Sequence, residues 1–510
     1  MKDIIRMNNN EAIALDEIPL LSFDAFQEQL TGVMEEESDV LACFACNGSS
    51  DDATDDLELI TLIGCRTTNN IAVFRSHLAS SYPSLTCHWP QFHLFEREMA
   101  EQFGVTPEGH PWLKPVRFHQ VWQGDKDVWG RDIEQHPLVG DMQYFKVEGD
   151  EIHEVGVGPV HAGIIEPGHF RFQCFGEIVL HLEISLGFQH RGAEKLLLGG
   201  PHAATPYQME TLAGDTTVGN MLGYSQIMES LGGTEVNRKI QDLRIIALEL
   251  ERLANHVGDI GALALDVGYL PTSSFCGRLR GDYLNMTAHI CGSRFGRGMV
   301  RPGGQLFDID IPLRDKIKGL FESTTKDTLG ALKLFFTEPS VLGRLDGAGE
   351  VHIDDAKKLG LTGVAGRACG LDTDSRRWYP ATRDKDQQYP LITGEEGDVF
   401  ARAHVRRLEI NEATAIIRKK LDTLSSDPTI RMDVPPPRPN MLAVSLVEGW
   451  RGRLTHVALT DEQGKFRRYK VVDPSFFNWS GLAMSLRDEQ ISDFPICNKS
   501  FNLSYCGFDL

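Results

Sequence analysis

Residues 238–264 read R-K-I-Q-D-L-R-I-I-A-L-E-L-E-R-L-A-N-H-V-G-D-I-G-A-L-A. Apolar positions fall at Ile240, Leu243, Ala247, Leu250, Ala254, Val257 and Gly261, in steps of three and four, and Ile246, Leu253, Ile260 and Ala264 widen the stripe. At 1.5 Å per residue this predicts roughly 40 Å of helix. A helix this long with so wide an apolar face belongs inside a large helical domain. Further helices are predicted at 203–231, 275–297 and 396–426.

The flanks have a different texture. In residues 1–125, apolar runs alternate with acidic loops such as E-E-E-S-D (35–39) and D-D-A-T-D-D (51–56). L-E-L-I-T-L-I-G-C (57–65) and I-A-V-F-R (71–75), joined through T-T-N-N, read as a hairpin. Residues 126–150 are a connector. The unit 151–510 opens with two strands in 171–184 around Phe175-Gly176 and ends, after P-P-P-R-P (435–439), in a meander. Its strands are placed at 441–448, 453–460 and 465–472, with turns at G-W-R-G and D-E-Q-G. The predicted fold class is therefore α+β: a small N-terminal α+β domain, then a large, mainly helical domain with peripheral antiparallel strands.

The 510 residues carry 72 acidic against 51 basic side chains, a net charge of −21. That disfavours nucleic acid and anionic membrane surfaces as direct partners. Ten scattered cysteines fit reduced thiols better than a disulfide framework. Cys43 and Cys46 form a Cys-x-x-Cys without a second pair at zinc-finger spacing, which favours a buried structural role. No apolar run approaches the ~20 residues of a transmembrane helix, and the opening M-K-D-I-I-R-M-N-N-N-E has no signal-peptide core. A membrane role would then need other subunits to hold the chain there, peripherally, on the cytoplasmic face.

Several motifs occur in one order. E-R-E-M-A-E-Q-F-G-V-T-P-E-G-H-P-W-L-K (96–114) resembles the small α+β subunit of respiratory complex I. G-P-V-H…E-P-G-H-F-R-F (158–172), F-Q-H-R-G-A-E-K-L (188–196), L-E-L-E-R-L-A-N-H (248–256), L-D-V-G (265–268), R-P-G-G-Q-L-F-D (301–308), G-R-A-C-G (366–370), G-D-V-F-A-R (397–402) and V-E-G-W-R-G (447–452) resemble the large subunit shared by complex I and NiFe hydrogenases. The fused order resembles the large subunit of the formate hydrogenlyase and hydrogenase-4 type. Each motif alone is weak, and the series is specific.

The resemblance implies a nickel site fed by four thiolates, which soft metals need. Aligned on the family pattern, L-A-G-D-T-T-V-G-N-M (212–221) places Ala213 and Thr216 at the first pair, and the C-terminal stretch places Ser504 and Gly507 at the second. Cys497 and Cys506 are near but out of register, so no metal ligand is expected. The complex I quinone site fares no better: Ala213 stands at the Tyr position and Pro167 at the His position, with His169 two residues away.

What the resemblance leaves is a set of polar candidates. Glu166 matches a hydrogenase glutamate that passes protons, and with His169, Asp215, Thr216 and Ser504 it either lines a wet proton or quinone path or plugs a former active site. His190 and Arg191 match a His-Arg-Gly whose Arg faces the partner's 4Fe-4S cluster, where an Arg stabilises the reduced cluster; a plain interface salt bridge is the alternative. His256 reads as a core histidine. The expectation is a peripheral subunit of an electron-transferring, ion-translocating membrane complex, beside a small iron–sulfur subunit and membrane ion-translocating subunits, with no cofactor of its own. A non-catalytic scaffold and a quinone-reducing subunit with an altered site are the alternatives.

Overall fold

The computed structural model describes residues 4–48, 57–123, 126–131, 137–162, 165–380 and 388–510. The acidic run 51–56 and part of the connector lie outside these.

The long helix runs Arg238–Asp266, its first turn capped by the Asn237 side chain, which accepts from the Ile240 N–H at 2.9 Å. Both its apolar stripe and much of its polar face are buried. The polar residues are paired to the helix Val399–Thr423: Lys420 Nζ binds Asp242 at 2.7 Å, His256 Nε2 lies 2.8 Å from Glu409, and Arg406 Nε binds Asp259 at 2.7 Å. His256 is thus a partnered core histidine. Helices Leu270–Cys291 and Ile311–Phe335 complete the bundle. The predicted helix 275–297 stops at Cys291, because Gly292 takes a left-handed φ of 77°.

The predicted helix 203–231 is in fact two, Thr205–Met209 and Thr217–Gly232. Side chains from elsewhere interrupt it. The Asp215 carbonyl accepts from Trp450 Nε1 and Asn255 Nδ2, both at 3.0 Å, and the second helix starts with its Val218 and Gly219 N–H groups donating to Glu251 at 2.7 and 3.2 Å. A helix start leaves such donors free to be claimed.

The N-terminal sheet has the order Ile5–Met7, Asn70–Leu78, Leu57–Cys65, Ser38–Asn47, with Leu20–Leu21 parallel to Asn70–Leu78. The hairpin is therefore as expected, with a longer second strand. Cys43 and Cys46 are buried on Ser38–Asn47, where positions three apart face opposite sides. Burial raises both thiols, Cys43 to about 12. A three-stranded antiparallel sheet joins Ile152–Val157, His169–Phe175 and Ile178–Ser185. The meander Met441–Glu448, Arg453–Thr460, Phe466–Val472 is where the sequence placed it, and Ala12–Ala14 adds a fourth strand to it from the N-terminal unit.

The two units are also joined by charge. In the helix His93–Phe103, Glu96, Glu98 and Glu101 are all buried. Glu98 binds Arg117 and accepts from Lys470 of the meander at 2.8 and 2.7 Å. Glu101 accepts the backbone N–H groups of Val116, Arg117 and Phe118.

Candidate functional site

The break in the helix, the meander turn and the C-terminal segment converge. Arg451, in the turn after Met441–Glu448, grips both Asp215 oxygens at 2.7 Å and stacks on Trp450 with its guanidinium 3.9 Å from the ring centroid. Its Nε donates to the Asn502 carbonyl at 2.6 Å, and Asn502 Nδ2 donates to Asp259 at 2.6 Å. Thr216 Oγ1 donates to Asp215 at 3.2 Å and accepts from Arg451 at 3.4 Å. Gly363 lets the turn in: its φ is +61°, and a Cβ there would lie 1.9 Å from the Arg451 carbonyl oxygen.

Burial works to raise the Asp215 carboxyl, but Arg451 outweighs it and holds Asp215 below the usual range. Its neighbours go the other way. Burial raises Glu251 to about 8, only partly offset by its two backbone N–H bonds and reinforced by Asp215. Burial also raises Asp473, against Arg451 and the Ser475 hydrogen bonds, and lifts Asp509 to about 6. Asp509 ties the segment before His190 down by accepting from Gly187 and Gln189 N–H at 2.8 and 2.9 Å.

The structure groups most of the nominated residues. Ser504 caps the last turn by accepting from Gly507 N–H at 2.9 Å, and its Oγ is 3.4 Å from Cys506 Sγ. Glu166 reaches the Tyr505 N–H at 3.4 Å. Burial, then the Glu166 charge, push the Cys506 thiol to about 12. His169 stands apart: it begins the strand His169–Phe175, and its ring meets Tyr144 edge-on with centroids 5.7 Å apart. The exposed Arg191 donates to the carbonyls of Thr211 and Leu212 at 2.9 and 3.0 Å, at the start of the loop that carries Asp215. His190 stacks on His119 at 4.9 Å, and burial, helped by His119 and Arg117, lowers it to about 3, so it is neutral.

At the four aligned positions stand a buried methyl (Ala213), two hydroxyls engaged as above (Thr216, Ser504) and Gly507, where a Cβ would meet Asp473 at 2.7 Å. Cys497 packs instead against Gly349. Among the described residues, no group of three or more His, Cys, Asp or Glu could hold a metal ion. This donor set does not fit nickel. A cleft of about 1110 Å³ between Asn8–Glu11 and Arg376–Tyr379 is lined by none of the nominated residues.

Sequence reasoning passed over Arg451, Glu251, Asp473 and Asp509. The signal for Arg451 was an arginine in a turn between two mostly apolar strands; Glu251 was hidden as one of several glutamates in a helical pattern.

A family model for the respiratory-chain NADH dehydrogenase 30 Kd subunit matches residues 23–146, and one for the 49 Kd subunit matches residues 266–442. The chain is a fusion of these two families. It is 28% identical over 387 residues to the C/D subunit of NADH-quinone oxidoreductase from Gluconacetobacter diazotrophicus, a match covering 71% of this chain and 64% of that protein. It is 29% identical over 353 residues to the carbon monoxide-induced hydrogenase of Rhodospirillum rubrum, covering 69% and 97%. It is 26% identical over 440 residues to hydrogenase-4 component G of Escherichia coli, covering 84% and 76%. The chain thus spans under two thirds of the C/D protein but nearly all of the hydrogenase. Its fold is shared with a chain of the membrane-bound sulfane sulfur reductase, an archaeal respiratory membrane complex, with a TM-score of 0.66 at 22% identity over 71% of this chain and 99% of that one. These relatives include complex I-type and hydrogenase-type oxidoreductases, and Asp215 and Arg451 both lie outside the residues matched by the 49 Kd model. No helix among the described residues is long and apolar enough to cross a membrane.

Proposed function

We propose that this protein is a peripheral subunit of a membrane-associated, electron-transferring and ion-translocating complex, with no nickel–iron centre of its own. One observation carries the reading. Arg191 stays exposed and held by two carbonyls at the mouth of the very loop whose thiolate positions are Ala213 and Thr216. The surface that would face a partner's 4Fe-4S cluster persists where the metal donors do not. Electrons belong to that partner; this chain supplies Arg191 to favour the more negative cluster and Glu166, with its neighbours, to move protons in response. The partners are a small iron–sulfur subunit and membrane ion-translocating subunits, on the cytoplasmic face.

The bidentate Arg451–Asp215 pair favours a second reading, a scaffold whose former site is filled. The test is metal content of the complex purified through this chain in mild detergent, together with Arg191→Ala and Glu166→Gln. Iron without nickel, and activity of the complex reduced in both variants, is the expected result. Stoichiometric nickel overturns the assignment of the four positions. Neither metal with partners intact, or unchanged activity in both variants, supports the scaffold.

A further inference from the structure

Beside the segment that Arg191 grips lies a surface unlike the rest of this acidic chain. The loop after Leu270–Cys291 folds back on itself through Gly292, Gly296 and Gly298, with left-handed φ of 77°, 72° and 78°. Ser293 Oγ closes it by accepting from the Phe295 and Arg297 N–H groups at 3.3 and 3.2 Å. Two contacts seat the loop on residues 205–218. Glu210 accepts from Gly298 N–H at 2.7 Å, and Gly296 lies so close to the helix Thr217–Gly232 that a Cβ there would meet Val218 at 2.6 Å. The loop is thus held in place before any partner arrives.

What it presents is arginine and aromatic surface. Arg294, Phe295 and Arg297 are all exposed. Arg301, just beyond the loop, places its guanidinium 5.7 Å from the ring centroid of Tyr207, which is 65% exposed. The exposed Phe307 reaches the same loop, since a Cβ on Gly298 would lie 4.0 Å from its ring. Aromatic rings and arginines are the side chains enriched at protein interfaces. The nearby acids are already engaged: Glu210 binds Arg301 at 2.5 Å, Asp308 binds Lys239 at 2.8 Å, and Asp310 caps Ile311–Phe335. Among the described residues no acid pairs with Arg294 or Arg297. In a chain of net charge −21, two unpaired arginines among three exposed rings call for acid from outside. The face is continuous with Arg191: Thr211, whose carbonyl Arg191 holds, donates its hydroxyl to the Tyr207 carbonyl at 3.0 Å.

We propose that this arginine–aromatic face docks a carboxylate-bearing surface of a neighbouring protein subunit, the one that also meets Arg191. That this subunit carries the iron–sulfur cluster rests on the function proposed above; the acidic character of its docking surface does not. The rings supply apolar contact, and Arg294 and Arg297 set partner choice, attracting acid and turning basic surfaces away.

The test uses the intact complex purified through this chain in mild detergent. Arg297→Lys keeps the charge and adds an amine, so a water-soluble carbodiimide can join it to a carboxylate in contact, and mass spectrometry of the linked peptide names the subunit. A link to an Asp or Glu of another subunit is expected. With Arg294→Glu and Arg297→Glu combined, the yield of that same subunit should fall about tenfold or more at moderate salt. Lys357→Glu with Lys358→Glu, an equal reversal at exposed positions of Ile353–Leu359, should leave it in place. A link to a second copy of this chain, no link to any other subunit, full retention in the double arginine variant, or equal loss in the lysine control overturns the docking surface and leaves the role of Arg191 to its own test. A linked subunit that holds no iron sinks the iron–sulfur assignment instead, and the docking surface stands.

Discussion

The Glu98 cluster is buried and the Asp215 cluster is partly exposed at Asp215, and both tie a helix to the meander, yet their charges balance differently. Around Glu98 and Glu194 stand three cations: Arg117, Arg468 and Lys470, with Lys470 2.7 Å from Glu98 and 3.0 Å from Glu194, and Arg468 2.9 Å from Glu194. Burial works against the Glu98 charge, but Arg117 and Lys470 prevail and pull Glu98 down. Around Asp215, Glu251 and Asp473, Arg451 pairs with Asp215 and Arg252 acts only weakly on Glu251, and only Asp215 is pulled down. A cluster in which every acid is paired keeps its charges fixed and acts as a clamp. In a cluster with more acids than paired cations, burial raises the unpaired acids Glu251 and Asp473, and that cluster is the one at the site.

The largest effect is expected at the clamp. Glu98→Ala strands Arg117 in the interior and leaves Lys470 with Glu194 alone, and uncompensated buried charge costs about 3–5 kcal/mol. Urea unfolding at unchanged m-value measures it. Lys470→Met leaves the Glu98–Arg117 pair standing and should cost less. A loss under about 1 kcal/mol for Glu98→Ala would mean that charge does not hold the two units together.

Arg451→Met converts the site fully to surplus acid, with an expected loss of about 2–3 kcal/mol near neutral pH. Its pH signature is sharper than its size. In the wild type Asp215 sits below its ordinary 3.8, so its contribution is present above that value and lost as pH falls through the lower one. Without Arg451, burial is opposed only by the hydrogen bonds from Thr216 and the backbone, so the loss of stability on acidification should flatten. Unfolding midpoints along a pH series distinguish the two slopes.

Gly363→Ala should reproduce that signature more weakly. Its Cβ would press on the Arg451 carbonyl at 1.9 Å and on Gly452 Cα at 2.4 Å, both backbone, at a φ of +61°. Strain of this kind costs about 1–3 kcal/mol. Because the displaced turn carries Arg451, Gly363→Ala and Arg451→Met should be non-additive in the double variant; strict additivity would show that Gly363 serves packing alone.

The same contrast explains what could be read from the sequence. The long helix and the meander announce themselves by local period, three to four residues and two, and the structure keeps them at Arg238–Asp266 and 441–472. The motif series placed Ser504, Thr216, Asp215 and Glu166 in one neighbourhood. The break at 210–216 was illegible, because the groups that cause it, Trp450, Asn255 and Glu251, come from other elements. Arg451 looked like a turn residue for the same reason: its partner is 236 positions away. Charge balance inside a fold is a property of assembly, and no window of sequence contains it.

The smallest net effect near neutral pH, and the finest test of the comparison, is Glu251→Gln. An amide fills the same space and can still accept from Val218 N–H, so the change at neutral pH should stay within about 1–2 kcal/mol. Its sign should depend on pH. Glu251 is raised from 4.5 to about 8. The unfolded chain therefore ionises first, and this acid's contribution is complete below 4.5 and declines as pH rises to about 8, where the folded form also ionises. The glutamine variant has no such decline, so the gap between the proteins should move steadily in its favour across that window and then level off. The paired acid Glu98 should show the reverse: with its folded affinity pulled below the ordinary 4.5, its contribution is present at neutral pH and lost only on acidification. If the Glu251→Gln and wild-type curves run parallel from about pH 5 to about pH 8, Glu251 ionises at its ordinary value, and the surplus of acid at Asp215 is relieved by solvent rather than by stored protons.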